Sequence, residues 1–339
     1  MKHVFCVNNL ISYLAALAVI SREMILEEEY LIYSVNSKQY SPVKCIILNT
    51  KGGRIKQFFN RITARRKINK SVEKFTFKLY TSSMSLFAKC FATHPNCASI
   101  NFIEEGLGCY VNEYPINFIT DSGQPMYKLR NRSVYEKLIE IIYILIGESI
   151  KEAKIPFWYQ AYIGFNNIKF YGFSDYTYYF AENQQKEILL FTDITTRFHF
   201  EYINQYNFDD SYILLGDAHL DIQNICLDDY INCIGDFFIP EIKRCNNKTI
   251  FIKFHPDETN ESKNKTKIQL EENGVQFSII PDNLSLEILL LKAKNVTLYG
   301  FDSSLLLYGA MMGHVCYSLS YRLKRSISCL YFMKMVKSI

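Results

Sequence analysis

"TIFIKFHPDE", residues 249–258, is an apolar run that stops at a histidine and a proline. Its β-branched and aromatic residues read as a strand, and Pro256 turns the chain, so His255 falls at the strand's carboxyl end. In an open parallel sheet, ligands bind outside the carboxyl ends of the strands, so a histidine there can serve a site as well as the fold. The same rhythm continues outward. Strands "EILLFT", "SYILLGD", "QFSII" and "NVTLYG" alternate with helical stretches at 221–235, 260–273, 284–293 and 303–312. Such alternation predicts a parallel sheet covered by helices on both faces.

The amino-terminal half has the same pattern: "HVFCV", a helix over 10–28, "YLIYSV", "CIILNT", a basic helix near 54–67, "KFTFKLY" and "SINFIEEG". A long apolar helix is expected in "NRSVYEKLIEIIYILIGESIKEA", followed by Pro156. The fold class is therefore α/β: two doubly wound, Rossmann-like domains, 1–155 and 156–339, facing a cleft as in the GT-B glycosyltransferases.

With 339 residues, 49% apolar content and a net charge of +4, the chain can bury a large core. Ten cysteines include no Cys-x-x-Cys pair and no zinc-type Cys/His cluster, which fits small apolar residues in a reducing cytoplasm. The opening "MKHVFCVNNLISYLAALAVI" is interrupted by Asn8, Asn9 and Ser12, so a strand entering a helix fits it better than a signal peptide. Ten basic residues against one acid, Glu73, between Lys51 and Lys78 create a local positive field. It reads either as a solvated helix face or as contact with an anionic membrane or glycolipid; no reading motif for nucleic acid accompanies it. The tail "YRLKRSISCLYFMKMVKSI" mixes basic and apolar residues, and the expected location is the cytoplasm, peripherally on the inner membrane, with core packing as the competing account.

Four strand ends carry candidate chemistry. Lys253 lies two residues before His255 on the same strand, so ammonium and imidazole share a face that suits a phosphate or carboxylate. In "VTLYGFDSSLLLYGAMMG" a strand ends at Gly300, and Ser303 and Ser304 open a helix whose free amides form an anion cradle or, more simply, a capped helix start. "SINFIEEGLGCY" leaves Glu104 and Glu105 at a strand end before Gly106, as a proton acceptor or as acids favoured at a helix start. In "IIPDNLSLEILL", Glu287 follows the Ser285 cap, placed to hold ribose hydroxyls or to complement the helix dipole. "LLGDAH" adds Gly216 and Asp217, a second candidate base.

"EEG" at 104–106, "HP" at 255–256 and "SS" at 303–304, in that order, resemble the bacterial sialyltransferases. The resemblance points to glycosyltransferase family 52, the lipooligosaccharide sialyltransferases, with kinship to the bacterial polysialyltransferases. It implies that Glu104 deprotonates the acceptor hydroxyl, although the Glu-Glu pair leaves Glu105 open, and that His255, with Pro256 behind it, meets the donor phosphate together with Ser303 and Ser304. The expected donor is CMP-sialic acid and the expected acceptor a galactose-type sugar of a glycolipid, with single addition or polymerisation both open. Another nucleotide sugar as donor, or a cleft that binds without catalysis, are the alternatives. With no Asp-x-Asp triplet in the chain, no metal cofactor is expected, and transfer is expected to invert the anomeric centre. Partners are thus the nucleotide sugar, the oligosaccharide or glycolipid and an anionic membrane surface, without nucleic acid; a homodimer stays open.

Overall fold

The structure, a computed structural model, describes residues 1–35, 40–48, 54–82, 86–92, 94–110, 168–178, 185–200, 207–217, 225–245, 249–301, 303–323 and 334–338. The expected helix at 131–153 and the loop 111–132 lie outside them. The chain divides into two compact units, Met1–Phe198 and His199–Ile339.

In the first unit, strands β1 (Lys2–Val7), β2 (Tyr30–Ser34), β3 (Ile46–Ile47), β4 (Phe77–Thr81), β5 (Cys97–Ile103), β6 (Phe170–Gly172) and β7 (Lys186–Ile188) form one sheet. Their order is β3-β2-β1-β4-β5-β6-β7 and every pairing is parallel. The opening segment folds as the alternation predicts. Helix α1 (Leu10–Arg22) buries every residue from Ile11 to Ile20, because it lies inside the unit with apolar neighbours all round. Asn9 starts it with a reciprocal cap: its side chain accepts from Ser12 N, and Ser12 Oγ accepts from Asn9 N. Helix α2 (Arg54–Val72) buries Ala64, Ile68 and Val72, one per turn, and exposes Arg66, Lys67 and Lys70. Helix α3 (Leu86–Ala92) precedes β5.

The division at Phe198 falls well after the 155/156 boundary read from the sequence. Phe170–Gly172 pairs with β5, and Lys186–Ile188 pairs with β6, so both belong to the first sheet. Helix α4 (Phe191–Arg197) then returns to α1, where Arg197 donates to the carbonyls of Ile20 (2.8 Å) and Ile25 (2.5 Å), satisfying the carbonyl end of that helix. "EILLFT", expected to open the second domain, closes the first.

The second unit holds β8 (Tyr212–Leu215), β9 (Ile250–Lys253), β10 (Ser278–Ile279), β11 (Thr297–Gly300), β12 (Val315–Ser318) and β13 (Lys337–Ser338) in the order β10-β9-β8-β11-β12-β13, again all parallel. Between β8 and β9, helix α5 (Leu227–Cys233) passes through a π-helical turn (Ile234–Phe238) into α6 (Ile239–Arg244). The wider turn lets the helical run continue to Pro240, which has no N–H to donate. Helices α7 (Asn260–Glu272), α8 (Leu286–Leu290) and α9 (Ser304–Met311) complete the alternation. Leu214, Ile252, Phe254, Tyr299, Phe301, Phe238 and Leu270 form the core of this unit. Val336 is buried and β13 pairs with β12, so core packing accounts for Val336 and sheet pairing for residues 337–338 of the tail; residues 324–333 lie outside the described residues.

Both units are therefore doubly wound Rossmann-like domains, the fold class the sequence predicts.

Candidate active site

In the first unit the chain runs outward one way from β1 through β2 and β3, and the other way from β4 through β7, so the strand order reverses between β1 and β4. The crevice at such a reversal is where open α/β sheets bind ligands. Asn8 follows β1, Ser82 follows β4, and Glu104 and Glu105 follow β5.

The two glutamates have different surroundings. Glu104 is fully buried, and its Oε2 accepts from Phe173 N at 2.7 Å and from Thr177 Oγ1 at 3.3 Å. Tyr110 hydrogen-bonds the same carboxyl. Burial, reinforced by Glu104, drives the hydroxyls of Tyr110 and Tyr178 far above their ordinary pKa and pushes the Cys109 thiol up to about 12, so all three stay neutral. Glu105 is only half-buried; its Oε2 accepts from Asn8 Nδ2 at 3.3 Å, and its carbonyl accepts from Asn9 Nδ2 at 2.7 Å. Asn8 Nδ2 also donates to Ser82 Oγ at 2.9 Å. Gly106 turns the chain at φ +142°, a conformation that strains any residue with a Cβ.

In the second unit the order reverses between β8 and β11. Because all its strands are parallel, Gly216 and Asp217 after β8, His255 and Pro256 after β9, Glu287 after β10, and Ser303 and Ser304 after β11 share one sheet edge. The His255 side chain is 41% exposed, and Asp257 N donates to its Nδ1 at 3.1 Å. A nitrogen that accepts an amide hydrogen is unprotonated, which leaves the proton of the neutral ring on Nε2 as a donor. Ser303 caps α9, its Oγ accepting from Leu305 N at 3.3 Å, and Ser304 is half-buried in the first turn. Gly300, the last residue of β11, lies against β8: a Cβ there would sit 3.0 Å from that of Leu215. Pro256 is exposed, Asp217 buried, and Glu287 half-buried in the first turn of α8.

Lys253 has a different environment from the one the strand pattern suggests. It is buried, and its ammonium donates to the carbonyls of Pro281 (2.6 Å) and Leu284 (2.9 Å). Burial lowers its pKa, while the carboxylates of Asp282 and Glu287 oppose that shift. Strand alternation gives the face of a residue but not the partner that a long side chain finds there.

Reading the sequence missed Glu258, three residues past His255. It is buried; Ser262 Oγ donates to its Oε1 at 2.7 Å and His255 N to its Oε2 at 3.3 Å. A Cβ on Gly216 would meet Oε2 at 2.1 Å, so a side chain there would push this carboxylate away from Ser262 and His255 N. Desolvation raises the Glu258 pKa to about 7, helped by Asp217 and opposed by its hydrogen bonds and by Lys263. One acid in a turn carries no sequence signal of that kind. Asn8 and Asn9 were visible as a strand-to-helix junction, but the strand order that makes the junction a site was not.

The model of the alpha-2,8-polysialyltransferase family matches residues 3–321. The chain belongs to that family. It is thus a glycosyltransferase of the sialyltransferase kind. No curated protein matches it. Among solved structures it is similar to a sialyltransferase from Photobacterium damsela, with 12% identity, a TM-score of 0.51, and 100% of this chain and 81% of that one covered. It is equally similar to a putative UDP-N-acetylglucosamine 2-epimerase from Listeria monocytogenes, with 8% identity, a TM-score of 0.51, and 94% and 78% covered. A further match is the 2,6-sialyltransferase of Photobacterium sp. JT-ISH-224, with 14% identity, a TM-score of 0.49, and 90% and 68% covered, solved with CMP and lactose. A transferase and a putative epimerase share this fold, so the fold does not select the reaction; the family membership does.

Proposed function

We propose that this family member transfers sialic acid from CMP-sialic acid to the hydroxyl of a terminal sugar, with inversion and without a metal. The observation that carries the reading is the placement of the family-like "EEG", "HP" and "SS" motifs at carboxyl ends of parallel strands. In this reading the first unit serves the acceptor and the second holds the donor. Glu105, half-buried, takes the acceptor proton, and Glu104, committed to Phe173 and Thr177, secures the loop beside it. His255 Nε2–H donates to the phosphate of the departing CMP, and the amides that begin α9, with Ser303 and Ser304, neutralise the rest of its charge. Asp217 and Gly216 border the same donor edge, with Glu287 suited to ribose hydroxyls.

For the acceptor, a galactose-type end of lipooligosaccharide, as in glycosyltransferase family 52, stands beside chain extension on an existing sialic acid. The family description favours the second.

Incubation with CMP-sialic acid, excess EDTA and either a labelled lactoside or a labelled sialyl-lactoside tests the reading. One added sugar on the lactoside supports the first acceptor, and a ladder on the sialyl-lactoside the second. No transfer to either, or transfer only after magnesium or manganese is restored, overturns the proposal as stated. The variant Glu105→Gln should lose transfer by roughly a hundredfold or more, as expected for removal of a general base. Wild-type activity in it would return the base to Glu104 or Asp217.

A further inference from the structure

We propose that Asn8 is the positioning residue for the reaction's base: its carboxamide, bonded to Ser82, fixes the Glu105 carboxylate in the orientation that accepts a proton. The inference rests on Glu105 being that base. Three strands converge on the arrangement: Asn8 after β1 donates from one nitrogen to Ser82 after β4 (2.9 Å) and to Glu105 Oε2 after β5 (3.3 Å). The Glu105 backbone is held separately, by Asn9 Nδ2 on its carbonyl (2.7 Å). Asn9 is itself fixed as the cap of α1, whose ten residues from Ile11 to Ile20 are buried, so the donors hang from a helix packed into the core of the unit. Ser12 Oγ accepts from the backbone of both Asn8 and Asn9 at 3.0 Å, which sets the direction of the turn.

The groups facing Glu105 make a donor there consequential. Glu104 adds a second carboxylate next in sequence, and Cys109 and Tyr178, kept neutral by burial, supply no positive charge. A hydrogen bond given to the ionised form favours that form, and near another carboxylate the amide of Asn8 supplies one without adding charge. The donor also selects one carboxylate oxygen, leaving the other, Oε1, as the natural acceptor of the sugar proton. That is orientation by a neighbouring group and not contact with substrate, so Asn8 is distinguished from a catalytic residue by how its loss changes the rate.

The variant Asn8→Asp keeps the shape and replaces the donated hydrogen bond with a like charge. Relative to the wild type, the acidic limb of its kcat/KM profile should move to higher pH by about one unit, with kcat down roughly tenfold and the KM for CMP-sialic acid within about twofold. Asn8→Ala, which removes the donor without adding charge, should move the limb in the same direction by less, and it carries the test should Asn8→Asp fail to fold. Melting temperatures report folding independently. An unmoved limb in a folded variant, or a loss confined to melting temperature, overturns the positioning role while a dead Glu105→Gln leaves the transferase reading standing. Full activity in Glu105→Gln overturns the positioning role together with the choice of Glu105 as base, and leaves the transferase reading to the transfer assay.

Discussion

His255 owes its proposed task to an adjacent amide. Asp257 N occupies Nδ1, so the proton of the neutral ring stays on Nε2. His255→Ala should therefore lower turnover by at least roughly a hundredfold in a folded protein, as for loss of one transition-state donor; near wild-type turnover would make the residue structural. Glu258, behind it, gives a stability prediction. Its folded pKa of about 7 lies above the ordinary 4.5, so between these values the folded chain holds a proton that the unfolded chain has released. Stability then falls as pH rises through that window, by on the order of 3 kcal/mol for this group alone. Glu258→Gln removes the titration but keeps an oxygen that can accept from Ser262. Denaturation midpoints of wild type and variant should therefore diverge between about pH 4.5 and 7, with the variant losing less; parallel curves would exclude Glu258 as the source.

At the scale of the element, Lys253 ties the end of β9 to the turn before α8 through the carbonyls of Pro281 and Leu284. α8 has five residues, and its Ser285 start makes no side-chain cap bond, so this helix depends on its neighbours for its position. Lys253→Met should leave the Leu284 carbonyl without this donor, while Pro281 O keeps its bond from Leu284 N, and cost about 1–3 kcal/mol. If Glu287 meets the donor, the same change should raise the KM for CMP-sialic acid more than it lowers kcat. A fall in kcat at constant KM would instead place the ammonium against the phosphate, as the strand pattern first suggested.

Over the whole molecule, basic charge is unevenly spread. Among the described residues no helix is long and apolar enough to cross a membrane. The basic face of α2, with Arg66, Lys67 and Lys70 exposed, is the surface suited to anionic lipid, while the end of the tail is occupied as β13. Each basic side chain near such a surface contributes on the order of 1 kcal/mol and is screened by salt. Sedimentation with anionic vesicles should therefore carry the protein down at low salt and release it at high salt, with neutral vesicles inert. Binding indifferent to lipid charge and to salt, or no binding at all, would remove α2 as a membrane contact.

What the sequence determined by itself was the alternation of strands and helices, the parallel sheets that follow from it, and the positions of Glu104, Glu105, His255, Ser303 and Ser304 at strand ends. These depend on periodicity, turn residues and caps, all of which act over a few neighbours. Only the tertiary structure distinguished Glu104 from Glu105, since besides Tyr110 the groups that occupy Glu104 are Phe173 and Thr177, about seventy residues away. The same holds for Lys253, whose acceptors come from another connection, for Asn8, whose partners lie on two other strands, and for Glu258, which Gly216 admits. It also holds for β6 and β7: three-residue strands carry too little pattern to show their sheet, and pairing with β5 assigns them to the first unit. A side chain's face is set by its local backbone, but its hydrogen-bond partner and its desolvation are set by whatever distant chain the fold brings beside it.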